Sequence, residues 1–244
     1  MRITRTPRTA PTTRRTLLRA SAATAAAGVL AAGSSPVSAA PSARPATAAR
    51  PATPAAALTE LAAGNRRWRT LRQRHPHEAA GVRAALVSGQ SPFALILGCI
   101  DSRVPPELVF DQGLGDLMTV RSAGEVLDEA VLGSIAYGVL ELGIPLVVVL
   151  GHQSCGAVAA AVHAEETGES LPAHIQYVAD QIRPAIVHGQ HGDARVDATV
   201  SAQVRLVRSR LAREADLAAK VAAGELAIVG ARYELSTQLV HRVG

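Results

Sequence analysis

The chain has 244 residues, 48% of them hydrophobic and 18% charged, which suits a domain with a real core and excludes a wholly disordered or collagen-like chain. Two Phe, three Tyr and one Trp leave Ala, Val and Leu to fill the interior, and only two cysteines, Cys99 and Cys155, exclude a multi-bridge disulfide scaffold. The formal charge of +5 is unevenly placed: residues 1–39 hold six arginines and no acid, leaving 19 basic against 20 acidic residues beyond them. The working part of the chain is therefore near neutral and gives no reason to expect a nucleic-acid partner.

Thr13-Arg14-Arg15-Thr16-Leu17-Leu18-Arg19 resembles the twin-arginine export motif. The apolar stretch 20–32 that follows is about 13 residues, short of the ~20 that cross a bilayer as a helix. Val37-Ser38-Ala39 is a small-residue cleavage pattern. Residues 1–39 are thus expected to be a leader removed on export by the twin-arginine route, leaving an extracytoplasmic protein with no stable membrane anchor. Residues 40–57 are almost entirely Pro, Ala, Ser, Thr and Arg and read as a flexible linker, with the folded domain spanning 58–244.

Within that domain, 58–71 has a helical pattern and 93–99 is a continuous apolar run of strand length. A second short strand is expected at 117–121, then a helix over 128–142 stopped by Gly143. Residues 145–150 (Pro-Leu-Val-Val-Val-Leu) form a β-branched strand, and a helix runs from 156 to about 166. In 193–223, Val196, Val200, Val204, Val207 and Leu211 recur at helical spacing as one apolar stripe. Residues 226–230 give the last strand, continuing through 231–235. Apolar strands alternating with helices predict an α/β fold: a mainly parallel sheet flanked by helices, with ligands at the carboxyl ends of its strands. No G-x-G-x-x-G occurs, so a dinucleotide site has no support.

Two predicted strand ends carry chemistry: Gly98-Cys99-Ile100-Asp101-Ser102-Arg103 and Gly151-His152-Gln153-Ser154-Cys155-Gly156. Both cysteines of the chain lie there. They admit a disulfide, a pair of inert buried thiols, a Cys–His nucleophile, or an open zinc site in which two thiolates and one imidazole leave a fourth position for water. A disulfide leaves His152, Asp101 and Arg103 without a role, and a hydrolase needs no second cysteine. Cys155 is placed to start a helix, whose positive end favours a thiolate. His188 and His191 have metal-like spacing, but their glycine-rich flanks predict a solvated loop.

The two loops together resemble the signature pair of the β-class carbonic anhydrases, in their plant-like branch with an open site. The likeness extends from about Asn65 to Tyr233, through Gly115-Asp116-Leu117 and Ala130-Val131-Leu132-Gly133-Ser134. It implies one Zn2+ held by Cys99, His152 and Cys155, with Asp101 and Arg103 as a catalytic pair. In the family the aspartate either accepts a hydrogen bond from the zinc-activated water or swings onto the metal; Arg103 can hold it off bidentately. The resemblance also implies substrate contacts from Gln90, reaching across a dimer interface, and from Tyr137, Gly156 and Met118, the last standing where the branch has a phenylalanine. Ser122 and Glu125 replace asparagines common after Arg121, which puts the local loop geometry in question.

The implied activity is reversible hydration of carbon dioxide to bicarbonate and a proton, in a homodimer or larger homo-oligomer. Alternatives on the same scaffold are a carbonyl sulfide or carbon disulfide hydrolase, or a non-catalytic exported zinc or redox module. Two thiolates and a neutral imidazole make the zinc site formally neutral, so its water ionises less readily than in a three-histidine site. Activity is accordingly expected to rise above neutral pH.

Overall fold

The computed structural model describes residues 50–244; the predicted leader and residues 40–49 of the predicted linker lie outside the described residues. Helix α1 (Pro54–Arg69) begins inside the segment read as linker, a correction to the expected start at 58. Thr53 caps it, accepting from the Ala56 N–H at 3.2 Å, and Pro54 occupies the first turn, where no N–H is needed. The alanines that resemble a linker are also the best helix formers, and Ala57 is fully buried beneath the helix. The Arg50 guanidinium bonds the carbonyls of Ser91 and Gly115, which ties the backbone to the domain just before α1 starts.

Five strands follow: β1 (Ala94–Gly98), β2 (Leu117–Arg121), β3 (Leu146–His152), β4 (Ala227–Tyr233) and β5 (Val240–Val243). They form one sheet in the order β2-β1-β3-β4-β5, parallel except for the antiparallel edge strand β5. β1 and β3 are buried along their whole length, as expected of parallel strands covered on both faces.

The intervening helices are α2 (Ala80–Leu86), α3 (Pro106–Val109), α4 (Glu129–Ala136), α5 (Gly156–Thr167), α6 (Ile175–Ile182), α7 (Gly192–Leu211) and α8 (Ala215–Ala222). Asp128 caps α4 by accepting the Val131 N–H at 2.8 Å, and a π-helical turn, Tyr137–Glu141, extends it to Gly143, whose φ of +65° ends it. The stripe from Val196 to Leu211 lies on one helix, α7, as expected, and the rest of that segment forms the separate α8 from Ala215.

Alternation along the strands sorts the core into two layers. Leu95, Leu97, Val147 and Val149 meet α4, α7 and α8 through Ile135, Val204, Val207, Leu211 and Leu217. Ala94, Ile96, Val148 and Leu150 face α1 and α3 through Ala57, Leu61 and Val109. A third cluster, Val126, Val158, Val162, Ile182 and Val200, closes around the two cysteines. Among the described residues no helix is long and apolar enough to cross a membrane.

Candidate metal centre

From β1 the chain goes to β2 on one side, and from β2 it crosses to β3 on the other. The crevice beyond the carboxyl ends of β1 and β3 is therefore the point where the winding reverses, the usual ligand position in open α/β sheets. Cys99 follows the last residue of β1, His152 is the last residue of β3, and Cys155 caps α5. One sulfur from each cysteine and one imidazole nitrogen lie within 4.8 Å of one another, all three residues buried. The sulfurs are 3.9 Å apart and unbonded, so the disulfide alternative does not hold.

The donor set fits zinc. His152 Nδ1 donates to the Gln153 carbonyl at 2.9 Å, which fixes the tautomer and leaves Nε2 as a bare lone pair. That Nε2 is buried without a hydrogen-bond partner, a state that is costly unless a cation takes it up. The contact with Cys155 holds the Cys99 thiol below the ordinary thiol range, while the same contact and burial push the Cys155 thiol far up. Two thiols so close cannot both ionise until a divalent cation shares their charge.

The surrounding structure aims these donors. Arg121, at the end of β2, donates to the carbonyls of Cys99 at 2.8 Å and Asp101 at 2.7 Å, fixing the loop after β1. Arg103 grips Asp101 bidentately, Nε to Oδ1 at 2.9 Å and Nη2 to Oδ2 at 2.7 Å, and also reaches the Ser154 carbonyl at 3.3 Å. This guanidinium holds the Asp101 carboxyl down to about 2. Asp101 Oδ2 stops 3.9 Å from His152 Nε2, beside the donor set and outside it. Gly151 admits α7 against the strand that carries His152: a Cβ there would meet Val204 at 2.5 Å.

Two contributors escaped the sequence reading, and a third was met there only as a departure from the family pattern. Gly124 donates its N–H to Cys99 Sγ at 3.4 Å, and Gln203 Nε2 holds the Gly124 carbonyl at 3.0 Å. The third is Glu125, fully buried in the same turn, whose Oε1 has no partner. Its φ of +54° is the left-handed conformation that asparagine adopts more readily. The turn nonetheless forms, with Ser122 Oγ donating to the Val126 carbonyl at 2.7 Å. A glutamine beside the Val200–Val204–Val207 stripe was the available signal for Gln203.

A cavity of about 660 Å3 opens over Cys99 and Asp101, walled by Ala123, Gly156 and aliphatic side chains of α5 and α6. Gln90, Met118 and Tyr137 are not on this wall within the single chain. Met118 packs under Gly138 in the α4 layer, the face to which alternation along β2 turns it. Gln90 and Tyr137 are exposed. His188 and His191 sit in an exposed loop as expected, and among the described residues the Cys99–His152–Cys155 group is the one metal-ready cluster.

The family model described as carbonic anhydrase matches residues 94–240, which takes in both loops and the strands that deliver them. The chain belongs to the β-carbonic anhydrase family. Carbonic anhydrase 2 of Mycobacterium tuberculosis is 45% identical over 181 residues, covering 73% of this chain and 87% of that protein. The carbonic anhydrase of Mycolicibacterium smegmatis is 43% identical over 182 residues, 74% of this chain and 88% of its own length. Among solved structures, the Coccomyxa β-carbonic anhydrase in complex with acetazolamide aligns with a TM-score of 0.60 at 25% identity, covering 66% of this chain and 75% of that one. For a carbonic anhydrase the apolar wall is apt, since carbon dioxide is small and uncharged and needs a nucleophile more than an elaborate binding site.

Proposed function

We propose that Cys99, His152 and Cys155 hold one zinc ion and that carbon dioxide is hydrated in the cavity above it. The observation that carries this reading is the trio of buried donors within 4.8 Å, one of them an imidazole nitrogen with no other partner. When bound, zinc supplies Lewis acidity, lowering the pKa of a coordinated water so that a nucleophile exists near neutral pH. The chain's own residues do the rest. Asp101, kept ionised by Arg103, accepts a hydrogen bond from the attacking water and orients it toward the substrate carbon. The aliphatic wall excludes competing solvent, and the cavity above Cys99 leaves room for the bicarbonate product.

The site works in its open form. The two bonds from Arg103 to Asp101 support this, since a carboxylate so held is not free to take the fourth zinc position. The working unit is a homo-oligomer. Gln90 and the half-exposed Tyr137 stand off their own pocket, and a neighbouring subunit gives them a site to serve. The leader around Arg14 and Arg15 delivers the folded, metal-loaded protein across the membrane, which keeps two thiols 3.9 Å apart from oxidising to each other. Zinc stoichiometry of the purified protein, read with its hydration rate, tests the assignment: one zinc per chain and a rate rising from neutral to alkaline pH are expected. A zinc-free active enzyme, or zinc-loaded protein turning over carbonyl sulfide but not carbon dioxide, overturns it.

A further inference from the structure

Each carbon dioxide hydrated releases a proton, and that proton must cross an apolar cavity to reach solvent. Among the residues lining the cavity, only Cys99, Asp101 and His174 are titratable. Cys99 is committed to the metal, and both carboxylate oxygens of Asp101 are taken up by the two bonds from Arg103, at 2.9 and 2.7 Å. His174 remains. It precedes α6 at the exposed rim, with Ile175 beside it, while Cys99 lies buried at the floor; the cavity runs between them.

Nothing else claims this imidazole. Its side chain makes no capping bond to α6, and among the described residues it makes no other side-chain hydrogen bond or ion pair. The charged groups on the flanking segments are engaged elsewhere: Glu169 faces His163 of α5 at 3.8 Å, and Asp180 of α6 pairs with Arg183 and Gln176. Histidine is the side chain suited to exchange a proton in the range where the hydration reaction runs.

We propose that His174 is the proton relay of this enzyme, taking the proton released at the cavity floor and passing it to buffer at the rim. The step balances without a co-reactant. An O–H bond of the incoming water breaks, the hydroxyl oxygen left behind goes on to bond to carbon, and the proton crosses the cavity through water to a ring nitrogen. The imidazolium then loses it to an external base, bicarbonate leaves, and a new water restores the start. This rests on the zinc-centre reading above.

The test is His174→Ala in the zinc-loaded protein. In dilute buffer kcat is expected to fall by on the order of tenfold or more while kcat/KM is unchanged, because carbon–oxygen bond formation is untouched. Added imidazole is expected to restore kcat. A loss that imidazole does not rescue, or no loss at all beside an active wild type, overturns the relay alone. A wild type inactive in every buffer overturns the zinc-centre reading along with it. A readout apart from turnover is the NMR signal of the His174 ring, assigned by its disappearance in the variant. Replacing zinc with paramagnetic cobalt is expected to broaden that signal, and an unbroadened line places the ring too far away and also overturns the proposal.

Discussion

Gln203 on α7 donates to the Gly124 carbonyl at 3.0 Å, and that grip turns the Gly124 N–H toward the Cys99 sulfur at 3.4 Å. A side chain on one helix thus sets a hydrogen bond to a metal-binding thiolate on a different strand. Gln203→Leu removes the donor and leaves a buried carbonyl unpaired, so a loss of about 1–3 kcal/mol in unfolding free energy is expected. Outer partners of metal ligands typically matter for affinity by about 10- to 100-fold, so zinc release to a chelator is expected to quicken in the same range. Denaturant melts and chelator kinetics check both; a variant that melts earlier yet holds zinc as tightly as wild type refutes the link to Cys99.

The Asp101–Arg103 pair gives the second expectation. Arg103→Ala frees a carboxylate whose Oδ2 already stands 3.9 Å from His152 Nε2, close enough to move onto the metal. Activity is expected to fall by about 10- to 100-fold with zinc content unchanged. Arg103→Lys is expected to recover only part of it, because a single ammonium cannot reproduce the two-bond grip. Zinc analysis beside hydration rates separates this outcome from simple metal loss. Asp101→Ala in the Arg103→Ala background is expected to stay impaired, since the group that orients water is then gone.

Metal removal gives the third. Stripping zinc leaves a buried imidazole nitrogen unpartnered and two thiols sharing a proton. The apo protein is expected to lose hydration activity, melt at lower temperature, and recover both on adding zinc under reducing conditions. Air exposure of the apo form is expected to block recovery by joining Cys99 to Cys155, reversibly with a thiol reductant. Free-thiol titration follows this directly.

Much of this architecture was legible in the residues because the relevant signals are local. The Val147–Val149 run reads as a fully buried strand, and the Val200–Val204–Val207–Leu211 spacing as a helix face. The metal trio was legible because both cysteines of the chain sit at strand ends, one of them three residues from a histidine. What escaped depends on contacts between distant segments. The start of α1 is compositionally a linker and becomes helix through the Thr53 cap and the burial of Ala57. β5 carries exposed His241 and Arg242 at its centre, so its apolar signal is too short to stand out, and pairing with β4 makes it a strand. Gln203 is 79 residues from its partner Gly124, and no local pattern reports that bond.

Glu125 supplies the last expectation. Its carboxyl is completely buried; desolvation, with the charge of the Cys99 thiolate second, raises its pKa well above the ordinary 4.5. In the unfolded chain the group ionises at that ordinary value, so between the two the folded protein binds the extra proton. Stability then falls as pH rises, because the folded state holds more protons than the unfolded one. The contribution is fully present below the unfolded value and is lost as pH climbs toward the raised one. Glu125→Gln keeps the shape, cannot ionise, and still offers a donor in a site where Gln203 Oε1 also lacks a partner. The zinc-loaded variant is therefore expected to melt higher than wild type, by a margin that widens from about pH 5 to about pH 8. Thermal melts across that range decide it. A margin that stays constant means the carboxyl is already ionised in the folded protein, and a margin that shrinks means its pKa is lowered instead.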